Sequence, residues 1–301
     1  MTQAALDEKA VSWSPCLTGP VLLADRGADD AAVARRAASD VAARIGVPVQ
    51  LVTAWEVPAM VRVTPATGDL DVPGLYEGSA RAAQTQVRQQ LQLLGSGAGA
   101  GYVAEGSATV VVAHTADMIG ASLVVIGSRA GSGLGGHLLG LLPEALVRAV
   151  HRPVLVARGR SSDWPPRRII IVDDESIPSS RAAEEGATLA RVLAIPADLV
   201  RVIPHSGGDV VRDRSYAAMG IEARGRAARL EAESGAEVSS WVTIGDLTEV
   251  LLGFASDPRV MFAVGRRPHR RGLGRAVSAL LHHAVGPVLI VPEASSSVEL
   301  T

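Results

Sequence analysis

The stretch Ser122–Ala157, "SLVVIGSRAGSGLGGHLLGLLPEALVRAVHRPVLVA", sets the reading of the whole chain. "SLVVI" is a short apolar run, as expected of a strand buried on both faces. Gly127–Gly140 follows, with six glycines in fourteen residues. "LLPEALVRAV" then has helical spacing, with Pro143 suited to an early helix position and Glu144 on the first turn. "PVLVA" is a second buried strand. A strand, a glycine-rich turn and a helix start are the parts of a phosphate cradle, because free N–H groups and the helix dipole favour an anion.

Working outward, the same order of signals occurs twice. "PVLLADRG" pairs with "IIIVDDES", aligning Asp25 with Asp173. "YVAEGSATVVVAHTAD" pairs with "WVTIGDLTEVLLGFASD", aligning Gly106 with Gly245. "SLVVIG" pairs with "VMFAVG", aligning Gly127 with Gly265. The last helix and strand pair as well, aligning Gly140 with Gly274 and Pro153 with Pro287. By subtraction the offsets are 148, 139, 138, 134 and 134, so the second copy lacks four residues inside the glycine-rich loop.

Within the first copy, strand and helix signals alternate through "PVLLA", "AAVARRAASDVAARIG", "PVQLVTAW", "ARAAQTQVRQQLQLLG", "YVAEG" and "ATVVVAHTADMIG" before the opening stretch is reached. This alternation predicts an α/β protein of two tandem doubly wound parallel five-stranded sheet domains, with helices on both faces of each. The boundaries are placed at 18–158 and 167–292, with the polar, proline-bearing segment 159–166 as linker. In such sheets ligands bind outside the carboxyl ends of the strands, where the strand order reverses. Asp25 and Gly127 both follow strands, and they share that crevice if strand one neighbours strand four.

Bulk properties narrow the function classes. A formal net charge of −2 over 301 residues gives no global field toward nucleic acid or a membrane surface. Cys16 is the single cysteine, which leaves no disulfide framework and fits a reducing, cytoplasmic setting. The N-terminal residues carry acids and lack the apolar core of a signal peptide, and no apolar run reaches the roughly 20 residues of a membrane span. The residues before about Thr18 and after Pro292 read as loose tails. No G-x-S-x-G or His-Glu-x-x-His motif occurs, and the adjacent His282 and His283 face different directions on a helix. No catalytic constellation or metal site is expected.

The loop fails two familiar tests. In "GSGLGGHL" His137 and Leu138 replace the lysine and hydroxyl of a Walker A loop, and Lys9 is the chain's one lysine. Gly131, Gly133 and Gly136 fit G-x-G-x-x-G, but that match begins four residues beyond the strand. The next strand also ends in Arg158, where a ribose-binding acid belongs. The better match is G-x2-G-x9-G-[ST] followed by a helix and a "PVLVV"-like strand. With "LLADRG", "SLVVIGSR" and "HRPVLVA", the chain resembles the universal stress protein family in its tandem form, from about Thr18 to Pro292. That resemblance implies a strand order of 3-2-1-4-5, dimerisation through the last strand and, in one branch of the family, ATP held by the glycine loop. It assigns Asp25 and Ala54 to the adenine and ribose side, and Gly127, Arg129 and Gly140 to the phosphate side.

Two positions depart from the motif. Ala130 replaces its second glycine and Leu141 its hydroxyl residue. A side chain forced into left-handed backbone costs about 1–2 kcal/mol, and a lost hydroxyl hydrogen bond about 0.5–1.5 kcal/mol. The second copy departs further, with Pro268 for a glycine and Arg275 for the hydroxyl residue. The expectation is therefore at most one nucleotide per chain, bound by residues 18–158. The arginines of "GRRPHRRGLGR" read as a solvated loop before an anion or RNA grip, since no aromatic side chains interleave. Asp25 has two readings, contact with nucleotide or a cap on the following helix. Three functions stay open: a nucleotide-binding stress-response regulator, a degenerate tandem stress protein acting through protein contacts alone, and a slow ATP hydrolase. The apolar fifth strands predict pairing, between chains in a homo-oligomer or between the repeats of one chain.

Overall fold

The structure is a computed structural model that describes residues 17–25, 31–56, 72–127, 141–204, 209–267 and 273–293. The first half runs β1 (Val21–Ala24), α1 (Ala32–Ile45), β2 (Val49–Trp55), α2 (Val72–Leu94), β3 (Ala98–Glu105), α3 (Ala108–Met118), β4 (Leu123–Gly127), α4 (Leu141–Ala149) and β5 (Val154–Ala157). The second half repeats it as β6 (Arg168–Val172), α5 (Ile177–Leu193), β7 (Ala197–Ile203), α6 (Asp209–Ser234), β8 (Val238–Ile244), α7 (Leu247–Phe254), β9 (Val260–Arg266), α8 (Arg275–His283) and β10 (Val288–Pro292).

The strands form a single sheet in the order β3-β2-β1-β4-β5-β10-β9-β6-β7-β8. Each half keeps the order 3-2-1-4-5, and within each half all pairs are parallel. The halves meet where β5 and β10 pair antiparallel, with Leu155 opposite Leu289. These two residues are equivalent under the offset of 134, so a pseudo-two-fold axis passes between them. The pairing expected of the fifth strands thus occurs within one chain, which reproduces the geometry of a two-fold dimer.

Burial on both faces explains the near-continuous apolar strands. One core lies under α1, α2, α5 and α6, and the other under α3, α4, α7 and α8; each runs through both halves. The interdomain segment is packed rather than free. Trp164 is buried in the first core, and its Nε1 donates to Asp40 Oδ2 at 3.0 Å.

β3 starts earlier than "YVAEG" suggests, taking in the glycine-rich run from Ala98. A Cβ at Gly101 would stand 2.3 Å from Val87 Cγ1, so the small residue is what lets α2 lie against this strand. Gly101 is there for close packing.

Candidate functional site

β1 is hydrogen-bonded to β2 on one side and β4 on the other. The strand order therefore reverses between β1 and β4, and their carboxyl ends frame the crevice of the first half. Asp25 follows β1, Gly127 ends β4, and Ala54 lies at the same end of β2. Asp25 N–H donates to Val52 O at 3.3 Å, and Thr53 Oγ1 donates to Asp25 O at 2.8 Å. These bonds fix the backbone at the rim.

Side chains at that rim divide between the two faces. Ala54 packs against the core that contains Val52, Val111 and Ile126. The Asp25 carboxylate turns the other way and is fully covered, paired with Arg35 of α1 at 2.8 Å. Arg35 Nη1 also donates to Gln90 Oε1 of α2 at 3.1 Å. The N-cap residue of α1 is Ala31, which has no side-chain capping bond of its own. A buried carboxylate needs a partner, and an arginine from the first turns of α1 supplies it.

Gly127 is not forced by its described neighbours: a Cβ there would sit 3.7 Å from Ala31 Cα and 3.8 Å from Ala34 Cβ, in ordinary contact. At the equivalent Gly265 a Cβ would lie 2.3 Å from Pro178 C, so that glycine admits the backbone of α5. Of the remaining expected residues, Arg129, Ala130 and Gly140 lie outside the described residues. Leu141 begins α4, but its side chain lies outside them as well.

In the second half the same place is filled by the chain itself. Arg201 occupies the position of Thr53, and its Nη2 and Nε reach Asp173 Oδ2 at 2.6 and 3.1 Å. Arg226 of α6 reaches Asp173 Oδ1 at 2.7 Å and Ser180 Oγ at 2.9 Å. Arg201 also pairs with Glu175 at 2.5 Å and Glu222 at 3.3 Å. Burial alone would lower the Arg201 pKa, but its hydrogen bonds to Asp173 and the charges of Asp173, Glu175 and Glu222 hold it above the usual value. Across the mouth, Arg267 after β9 pairs with Asp174 after β6 at 2.8 Å. Burial acts to raise the Asp174 pKa, yet hydrogen bonds from Ser176 and Ser179 and the charge of Arg267 bring it below the usual carboxyl value.

The aligned acids thus keep arginine partners drawn from different elements. Arg35 of the first half is Ala183 in the second, while Gln86 and Thr53 of the first half are Arg226 and Arg201 in the second. Arg35, Thr53, Gln86 and Gln90 escaped the sequence reading. The available signal was the arginine pair Arg35–Arg36 flanked by the buried positions Val33, Ala34, Ala37 and Ala38 of α1. Among the described residues, no group of three or more His, Cys, Asp or Glu side chains is placed to hold a metal ion. No described helix is long and apolar enough to cross a membrane.

Two doubly wound five-stranded halves of one sheet, each with a crevice at its point of strand reversal, define an α/β protein of the switch-point class. The model of the universal stress protein family matches residues 18–158. Residues 18–158 thus form a universal stress protein domain, and the second half repeats that half's strand order. A universal stress protein from Archaeoglobus fulgidus superposes with a TM-score of 0.61 at 16% identity, covering 94% of this chain and 99% of that one. A putative universal stress protein from Pseudomonas aeruginosa does so at 0.61 and 13% identity, covering 93% and 95%. A universal stress protein solved in complex with cAMP shares 20% identity over 47% of this chain and 98% of that one, with a TM-score of 0.36. No curated protein matches the sequence.

Proposed function

We propose that this protein is a cytoplasmic stress-response regulator whose first half, residues 18–158, binds a nucleotide in the crevice between β1 and β4. The supporting observation is the contrast between the halves. The second-half crevice is filled by Arg201 and bridged by Arg267, whereas the first has Thr53 in place of Arg201. Ala54 and Gly127 stand at the rim with small side chains, which leaves room for a ligand to approach the backbone. ATP is the reference ligand, with phosphates toward Gly127 and the following loop and the base and ribose toward Asp25 and Ala54. The covered, arginine-paired state of Asp25 makes it a support for the site's wall more than a direct contact.

Mass spectrometry of small molecules released from the denatured protein, with ATP titration of the ligand-free chain, tests this reading. Nucleotide at about one per chain supports it. No bound nucleotide and no heat of binding would leave the second reading, action through protein contacts alone, which the pairing of both buried aspartates favours.

A further inference from the structure

We propose that the outer edge of β8 is a docking strip for an extended segment of a partner protein, one with basic residues at its ends and an aromatic side chain that seats beside Trp241. The surface does not depend on the nucleotide reading above. β8 stands at one end of the sheet, and among the described residues it pairs with β7 alone. Glu237 O accepts from Ala197 N–H, and Gly245 N–H donates to Ile203 O, so the odd-numbered residues along this strand bond to β7. The backbone groups of Val238, Ser240, Val242 and Ile244 therefore point away from the sheet, where an added strand can pair with them. Tyr216 Oη donates to one of them, Val242 O, at 2.8 Å, which leaves the amino-terminal part of the edge open.

Exposed edges are commonly guarded by charge or proline, and the strand "VSSWVTI" carries neither. Val238 and Val242 are buried on one face, whereas on the other Ser239 is exposed and Trp241 is 44% exposed. On that second face α7 ends at Phe254 after eight residues, where α3 of the first half has eleven. A cavity of about 270 Å³ lies there, lined by Ile170, Val200, Trp241 and Phe254 and rimmed by the Arg168–Asp198 pair at 3.0 Å. Phe254 meets the Trp241 ring edge-on, with centroids 5.6 Å apart. The volume is below the roughly 300–1,000 Å³ of a small-molecule site and suits one inserted side chain. Glu237 and Asp246 flank the uncharged strand, so the complementary segment is uncharged within and basic at its ends. Antiparallel pairing with a second copy, centred on Trp241, would instead bring Glu237 close to Asp246 of that copy, like charge against like.

Fluorescence anisotropy of the full chain with a labelled heptapeptide, K-T-V-F-V-T-K, tests the proposal. This peptide is expected to bind about tenfold tighter than E-T-V-F-V-T-E, whose ends meet Glu237 and Asp246 with like charge. N-methylation of two adjacent central residues removes a main-chain donor on each side of the peptide and is expected to weaken binding about tenfold or more. Trp241→Ala, checked by thermal melting beside it, is expected to weaken binding by a similar factor. Glu237→Lys, at an exposed position, is expected to remove most of the preference for basic ends. No binding of the basic peptide at millimolar concentration would overturn the proposal, as would equal binding of the two peptides or indifference to N-methylation. A dimer in light scattering that Trp241→Ala dissociates would place a second copy on this edge and overturn it as well.

Discussion

At the residue scale, Asp25 and Asp173 show how a buried acid constrains its surroundings. Each is 2% exposed and each is held by arginine. Asp25→Ala leaves Arg35 without its counter-ion and is expected to cost about 3 kcal/mol of stability, read from urea denaturation. Calorimetric titration beside the melt separates that loss from any loss of ligand; an unchanged midpoint would show that the pair contributes nothing. A second position is strained. Gly46 ends α1 at φ 74°, and the equivalent Ala194 ends α5 at φ 56° with the same kind of capping N–H bonds. Left-handed backbone penalises a side chain, so Ala194→Gly is expected to stabilise the chain by about 1 kcal/mol. A lower melting temperature in that variant would mean the cap is strained for another reason.

At the element scale, the two halves use the same helices for different electrostatic duties. α1 supplies the arginine in the first half, whereas β7 and α6 supply it in the second. The apolar periodicity of each element was legible, because burial repeats every two residues in strands and every three to four in helices. The ion pairs were not, because Arg35 and Asp25 sit ten residues apart and Arg226 and Asp173 fifty-three apart. α5 and α6 also carry a like-charge contact. Burial and then the charge of Glu233 raise the Glu184 pKa above its ordinary value. The sign follows from the ionised form being disfavoured in the fold. Stability falls as pH rises from the unfolded carboxyl value through the raised one, and it stays lower at neutral pH. Glu184→Gln should therefore raise the melting temperature at pH 7 and have little effect at pH 4. Equal shifts at both pH values would assign the effect to packing.

At the scale of the whole molecule, the halves are locked by more than strand pairing. Arg158, after β5, donates to Ala284 O at 2.8 Å and Leu280 O at 3.4 Å, and also to Leu281 O, capping the end of α8 across the axis. Burial lowers its pKa to about 10, and the helix-end carbonyls offset part of that penalty. In the other direction, Arg266 Nη2 donates to Val150 O after α4 at 3.3 Å. At the equivalent positions of α4 and α8, Ser278 Oγ donates to Glu144 Oε1 at 3.0 Å. These three contacts and a continuous core predict one cooperative unit. Leu155→Asp, which sets a charge on the axis, is expected to lower the melting of both halves together. Two separated melting transitions, one unchanged, would show that the halves fold independently.

The sequence by itself determined the alternation of elements, the repeat and the five strands of each copy, while the candidate rim of Asp25, Ala54 and Gly127 came from the family resemblance. The first three follow from local rules, because periodicity and glycine placement are written in neighbouring residues. Only the tertiary structure decided that β1 lies beside β4, that the fifth strands pair inside the chain, and that each aspartate is neutralised by an arginine from another element. These depend on which surfaces meet once the apolar faces are buried. The second crevice shows this most plainly in Arg201, whose meaning is fixed by an acid twenty-eight residues away in the chain and 2.6 Å away in space.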